Sequence, residues 1–354
     1  MDSLIERFLE ARAAREALER CVPGRASTHE ANDAGVEQRR GKVYLIGTGP
    51  GDPGLLTLKA FHLMQTADVV LYDRLVSPAI LDLVHEEAKM LYVGKQAGFH
   101  TRTQDEIEAM LLGFADNGAT VIRLKGGDPL VFGRGGEEME TLMRRGHEVH
   151  IVPGVTAAAG VGSELGIPLT HRGVATSVRL LTGHLREGAA KEKDEGTANG
   201  VVDPVDFAVT SADLDTTLVV YMGLGTLPSL ASKLVESGFP PEMPAVAVER
   251  GTTPQERRVF STIGNLPSAV VEEGLRSPTL IIVGNTVALS PWWPWHAEDG
   301  KPEAPGRGVT HVAQRGLPSE DAAAWFRENS DAVRKLRTLG RRSGNGAGEV
   351  KEPA

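Results

Sequence analysis

The chain has one cysteine, Cys21, among 354 residues. A single thiol excludes an intramolecular disulfide framework and a cysteine-rich metal site, and it suits a reducing compartment. No apolar run approaches the roughly 20 residues that a membrane span needs. The first 21 residues, MDSLIERFLEARAAREALERC, alternate charges with leucines at helical spacing and lack the apolar centre of a secretion signal. A cytoplasmic protein without membrane association is expected. A basic excess is also missing: the net charge is −9. General nucleic-acid binding needs a basic footprint, so no nucleic-acid partner is expected. An anionic small molecule stays open, because a local basic patch suffices for it. Aromatics are scarce at 5%, whereas 41 glycines and an apolar content of 41% suit a loop-rich α/β protein with a substantial core.

The most informative stretch is Val121 to Glu138, VIRLKGGDPLVFGRGGEE. Val121–Leu124 reads as a buried strand. Gly126-Gly127 allows positive φ or a close approach to the backbone, and Asp128-Pro129 commits the chain to a turn. Gly133, Gly135 and Gly136 lead into a helix whose first turn carries Glu137 and Glu138, where acids suit the helix dipole. Five glycines and an aspartate in eleven residues exceed what a tight turn requires. A glycine loop between strand and helix points to a ligand at the carboxyl end of an α/β sheet. A second such loop, GTGPGDPG, follows the strand KVYLIG. It resembles a dinucleotide fingerprint, but position 52 is aspartate where the third glycine belongs. Pro50 removes a donor that a pyrophosphate cradle needs, and an acid repels phosphate. The loop suits a cation better.

Strand and helix signals alternate along the chain. DVVLYD delivers Asp73 and Arg74 to a strand end, and KMLYVGK delivers Lys95. Residues 78–87 read as helical. Thr103 caps a helix running to about Asn117, with Glu106 in capping-box position. Thr156 caps a small-residue helix from Ala157 to Leu165. AVAVERGTTPQERRVFST has hairpin potential. The expected fold is α/β with two α/β domains, the first sheet mainly parallel and the second mixed. The expected bounds are 1–40 for a helical extension, 41–153 for the first domain and 154–290 for the second. A polar loop or insertion is expected at 187–214, and a partly disordered tail at 291–354.

GTGPGDPGLLTLKA, YDRLVS, VGKQAG, RLKGGDPLVFGRGGEE, VPGVTAAAG, GIPLTHR, SVRLLTGH, YMG and SPTLIIVG occur in this order. Together they resemble the tetrapyrrole methyltransferase family, over about Gly41 to Leu289. The resemblance implies a cleft between the two domains that holds S-adenosylmethionine. It implies two successive methyl transfers, at C2 and C7 of uroporphyrinogen III, giving precorrin-2 by way of precorrin-1 for sirohaem or cobalamin. It implies a homodimer. Pro50, Gly126, Gly127, Asp128, Val131, Thr156, Ala157, Met222 and Gly251 match cofactor-contacting positions. Asp73 and Lys95 match a proton acceptor and a proton donor. Some enzymes of this activity carry a fused dehydrogenase and ferrochelatase module. The first 40 residues contain no fingerprint for one, and none is expected.

The residues carry ordinary readings beside these. Asp73 and Lys95 also suit a surface ion pair, which contributes little. Met222 also suits core filling, and Thr156 a simple helix cap. Uroporphyrinogen has eight carboxylates, so an acidic protein must gather its cations locally. Arg74, Lys95, Arg102, Arg123, Arg134, Arg172 and Arg186 lie in or beside the motif loops, and arginine suits carboxylate geometry. Arg74, Arg134 and Arg172 are the expected substrate anchors. His171 and His184 have no partner at metal-ligand spacing, and no metal is expected. Two other activities stay open: methylation of a different substrate, such as a later corrinoid, on the same fold, and a nicotinamide-dependent reduction.

Overall fold

The computed structural model describes residues 41–94, 102–183 and 213–293. The extension expected over 1–40, Lys95, most of the 187–214 segment and the tail from 294 lie outside the described residues.

The first sheet contains β1 (Val43–Gly47), β2 (Val69–Tyr72), β3 (Lys89–Tyr92), β4 (Val121–Lys125) and β5 (Val149–Val152). Their order is β3-β2-β4-β1-β5, and every pairing is parallel. The central strands read as continuous apolar runs because helices cover both faces. Val43, Leu45, Leu71 and Val121 pack on Ile107, Leu111 and Phe114 of the helix Gln104–Asp116. Ile46, Val70, Ile122 and Leu124 pack on Phe61 and Met64 of the helix Leu58–Met64. The capping box of Thr103 and Glu106 forms as its spacing predicts. The helix expected over 78–87 is shorter, Pro78–Leu81. Past it, the His85 N–H donates to the Met64 carbonyl and its ring Nδ1 accepts from the Glu87 N–H. These bonds offer the backbone an alternative to further helix.

The second sheet contains β6 (Ser177–Thr182), β7 (Thr216–Tyr221), β8 (Pro244–Glu249), β9 (Arg257–Thr262) and β10 (Thr279–Val283). Its order is β6-β7-β10-β8-β9. β6 and β7 are parallel, and the other pairs, including the β8–β9 hairpin, are antiparallel. The sheet is therefore mixed, as expected. The helices Leu227–Glu236 and Leu266–Glu272 cover one face, and the helix Ala157–Glu164 covers the other. Trp293 is buried against that second face, with its ring edge-on to Phe260 at 6.2 Å between centroids. The packed chain thus continues through Trp293, three residues beyond the boundary expected at 290.

Glycines at or just past the ends of three neighbouring strands, β4, β1 and β5, meet at one point. A Cβ on Gly47, at the end of β1, would lie 2.6 Å from both the Gly127 carbonyl oxygen and the Gly154 nitrogen. A Cβ on Gly154, after β5, would collide with that same carbonyl oxygen. Gly49 and Gly127 exchange both backbone hydrogen bonds, at 3.2 and 2.7 Å. Only bare backbone allows the loops after β1, β4 and β5 to meet this closely. Gly127 itself has φ +70° and open space where a side chain would stand. Gly154→Ala is therefore expected to be the more damaging of two matched substitutions. It forces backbone apart, at a cost of about 1–3 kcal/mol. Gly127→Ala meets only the left-handed backbone cost of about 1–2 kcal/mol. Thermal melting of the two variants, with Gly154→Ala the lower, checks the order.

Candidate active site

The glycine junction sets the floor of a cleft on the carboxyl edge of the first sheet. Asp128 stiffens it: its Oδ1 accepts from the Leu130 N–H at 2.9 Å and its Oδ2 from the Gly154 N–H at 3.1 Å. This carboxylate is thus engaged in shaping the loop. The loop after β2 leans on the same floor. A Cβ on Gly126 would lie 2.9 Å from the Leu75 Cβ, and the Ser77 hydroxyl donates to the Gly51 carbonyl at 2.8 Å. YDRLVS, GTGPGD and GGDP therefore form one surface.

The second sheet supplies the facing wall. Thr156 caps the helix Ala157–Glu164 through the Ala159 N–H. The Tyr221 hydroxyl, at the end of β7, accepts from the Ala158 N–H at 3.0 Å. Burial pushes its pKa up, opposed by its hydrogen bonds with Ala158 and Thr156, so the phenol keeps its proton. The Tyr221 ring meets Phe132 of the central loop at 5.0 Å between centroids. On the other side, a Cβ on Gly160 would lie 2.6 Å from Pro50, and one on Gly251 would collide with Val161. The Asp52 N–H donates to the Thr252 hydroxyl at 3.3 Å. Gly126, Gly127 and Asp128 thus lie in the floor, Pro50, Thr156, Ala157 and Gly251 on the elements packed against one another beside it, Val131 in the loop after β4 and Met222 next to Tyr221.

Five non-glycine residues among those described have positive φ: Phe132, Arg134, Met222, Arg250 and Thr252. All five lie on loops that follow β4, β7 or β8 at the rim. Strained backbone persists where the surroundings over-determine it, and it gathers at ligand sites. Met222 is 49% exposed, which removes the core-filling reading. Leu130 and Phe132 are exposed beside it. No lysine or arginine occurs in residues 48–53 or 126–133. The Gly49 N–H is bound to Gly127 and the Asp52 N–H to Thr252. The donors and cations that a pyrophosphate would require are therefore missing or already used. An apolar-rimmed, acid-bearing, cation-free loop fits a positively charged organic group.

Asp73 lies beside this floor at the end of β2, with its side chain 23% exposed. Its Oδ1 accepts from the Leu75 N–H, and its Oδ2 from Arg123 Nη2 at 2.9 Å. Arg123, one of the cations beside the motif loops, is 4% exposed and lies under the floor. The alternation of β4 explains this, because Val121, Arg123 and Lys125 share a face. Under that face Lys125 Nζ meets Glu138 Oε1 at 2.9 Å, Arg123 Nε approaches it at 3.5 Å, and Gln104 Nε2 donates to it at 3.2 Å. Arg102, another cation beside the motif loops, donates to the Met110 sulfur. Arg74 and Arg172 are exposed, on separate loops. Arg134 is exposed and forms a two-pronged ion pair with Glu137. Among the described residues, no group of three His, Cys, Asp or Glu side chains could hold a metal ion.

Two sheets whose strand-end loops meet at a glycine junction, with strained residues beside it, define an α/β protein with a candidate ligand site at its strand ends. The chain belongs to the tetrapyrrole (corrin/porphyrin) methylases, which it matches over residues 42–267. It is 62% identical to an S-adenosyl-L-methionine-dependent uroporphyrinogen III methyltransferase, chloroplastic, of Arabidopsis thaliana, over 72% of this chain and 66% of that one. It is 47% identical to a siroheme synthase of Thiobacillus denitrificans, over 78% of this chain and 54% of that one. The chain thus spans between about half and two thirds of the length of these curated relatives. Among solved structures, a uroporphyrin-III C-methyltransferase from Thermus thermophilus complexed with S-adenyl homocysteine is 42% identical. The match covers 70% of this chain and all of that one, with a TM-score of 0.55.

Burial and the Arg123 charge lower the pKa of Lys125, and Glu138 opposes them. A depressed value means that the folded state binds fewer protons than the unfolded chain. The contribution is complete above the unfolded value of about 10.4 and is lost as pH falls through the folded one. Denaturant titrations at intervals between about pH 8 and 10 are therefore expected to show the stability advantage of the wild type over Lys125→Met growing with pH.

Proposed function

We propose that the protein is an S-adenosylmethionine-dependent C-methyltransferase that methylates uroporphyrinogen III twice, at C2 and C7, giving precorrin-2 for sirohaem or cobalamin. The observation that carries this reading is the surface on which GTGPGD and GGDP form a floor without lysine or arginine, with YDRLVS and its exposed Arg74 at its edge and the start of the helix Ala157–Glu164 packed against it. Membership of the family supports it, as do the names of the relatives. When bound, the cofactor supplies a methyl group on a positively charged sulfonium.

Pro50, Gly126, Gly127, Asp128, Val131, Thr156, Ala157, Met222 and Gly251 are the proposed cofactor contacts. Asp128 acts through the loop it holds, and Gly127 through the space beside its backbone. Phe132 and Tyr221 close the apolar rim and exclude water, which strengthens electrostatic attraction inside the cleft. Transfer of that methyl group to a pyrrole carbon would leave S-adenosylhomocysteine and a substrate that must lose a proton. Asp73, a carboxylate at the floor's edge, is the proposed acceptor, and Lys95 the proposed donor. Arg74, Arg134 and Arg172 are the proposed anchors for substrate carboxylates. For Arg134 this requires exchange of Glu137 for the substrate. The two sheets are read as domains 41–153 and 154–290, with the second continuing through Trp293. Assembly as a homodimer and residence in the cytoplasm belong to the same proposal. No described helix is long and apolar enough to cross a membrane.

Incubation with uroporphyrinogen III and S-adenosylmethionine, followed by mass analysis, is expected to show two added methyl groups. No methyl transfer would overturn the reading. Asp73→Asn is expected to lower kcat with little change in the substrate KM. Arg74→Ala is expected to raise KM roughly ten- to a hundredfold, the size of one charge-assisted contact of ~1.5–3 kcal/mol. A normal single-turnover rate in Asp73→Asn would remove it as the acceptor.

A further inference from the structure

Glu138 stands next to Glu137 in the first turn of the helix Gly135–Arg144, yet the two residues have different surroundings. Glu137 is exposed and paired with Arg134. Glu138 is fully buried. Its Oε1 takes all the contacts, from Lys125, Gln104 and Arg123, and its Oε2 has no hydrogen-bond partner. A first-turn acid needs only the helix dipole and can stay in water. Buried ion pairs rarely outperform apolar residues of the same volume in stability, and an unsatisfied buried oxygen adds a penalty. Glu138 therefore calls for a reason other than stability.

The geometry of Arg123 supplies one. Its Nε faces Glu138 and its Nη1 donates to the Leu124 carbonyl at 2.8 Å. With those two edges held, the rigid guanidinium plane has one direction left, and Nη2 meets Asp73 Oδ2. The other Asp73 oxygen is held locally by the Leu75 N–H. The carboxylate at the cleft is thus oriented by one contact from its own loop and one that runs through Arg123 to Glu138. The charges also balance, with Arg123 and Lys125 set against Asp73 and Glu138. Without the charge of Glu138, Asp73 would be the remaining carboxylate for both cations, and Lys125 already senses it. Both would draw the carboxylate inward, away from the cleft.

We propose that Glu138 is a positioning residue for methyl transfer, acting on Asp73 through Arg123. The proposal rests on the reading of Asp73 as the proton acceptor given above. The test is a double-mutant cycle of Glu138→Gln and Asp73→Asn, reading kcat and KM for uroporphyrinogen III methylation. Calorimetric S-adenosylhomocysteine binding and thermal melting serve as controls. Glu138→Gln is expected to lower kcat roughly tenfold or more with substrate KM and cofactor affinity nearly unchanged. The same substitution in the Asp73→Asn background is expected to cost nothing further, because the two residues act as a unit. An equal loss in both backgrounds would assign Glu138 to structure alone and overturn the proposal, as would an unchanged kcat in folded Glu138→Gln. Glu138→Asp keeps the charge but draws it back from Arg123 Nε, and it serves if the glutamine variant does not fold. A smaller loss, again present only when Asp73 is intact, is expected, and a loss independent of Asp73 overturns the proposal. A wild type that methylates no uroporphyrinogen III overturns the functional reading and this proposal with it. Activity in the wild type with an additive cycle overturns this proposal alone.

Discussion

The structure depends on a contact between backbones. Gly47, Gly127 and Gly154 come so close that neither Gly47 nor Gly154 has room for a Cβ, and the Gly49–Gly127 pair of hydrogen bonds locks the arrangement. This contact brings three strand ends to one point. It turns the loop after β4 outward with φ +70° at Gly127 and leaves open space beside it. Asp128 can then tie the loop to Gly154, and Leu75 can rest on Gly126. A side chain at Gly47 or Gly154 would separate the loops, and no continuous floor would form.

Two electrostatic regimes lie on either side of that floor. Below it, Arg123, Lys125 and Glu138 are buried and held in a fixed network. Above it, residues 48–53 and 126–133 carry no lysine or arginine, and the exposed cations Arg74 and Arg134 stand at their edges. The division follows from the pleat of β4, whose alternate residues face the helices Gln104–Asp116 and Gly135–Arg144. A cationic group meets no lysine or arginine within residues 48–53 and 126–133, while the carboxylate beside them, Asp73, is held from below. The strained residues Phe132, Met222, Arg250 and Thr252 occupy the rim on the other side. Ordering is thus concentrated where two loops or two sheets must meet a ligand together.

Much of this was legible in the chain. Apolar runs bounded by glycine marked the strands, Thr103-x-x-Glu106 marked a helix start, and AVAVERG followed by RRVFST marked the hairpin. The position of Asp52 and the proline at 50 argued against a phosphate loop, and the packing agrees, because the relevant N–H groups are already engaged. Other features depend on contacts distant in sequence. Arg123 read only as one of several cations beside the motif loops, although charges at alternate positions of an apolar strand could have signalled burial. The short helix after Ser77 reflects the diversion of His85 to Met64. Trp293 lies in a stretch rich in proline and charge, and nothing local shows that Phe260 awaits it. The Phe132–Tyr221 contact joins residues 89 positions apart, which no spacing rule reports.

The central claim is that the space beside Gly127 holds the methyl donor, and calorimetry tests it most directly. S-adenosylhomocysteine titrated into the wild-type protein is expected to bind at one site per chain. Titrated into Gly127→Ala, shown by circular dichroism to be folded, it is expected to bind at least roughly tenfold more weakly, because the added methyl group points into the space the ligand needs. Equal affinity in the folded variant would place the ligand elsewhere and contradict the claim.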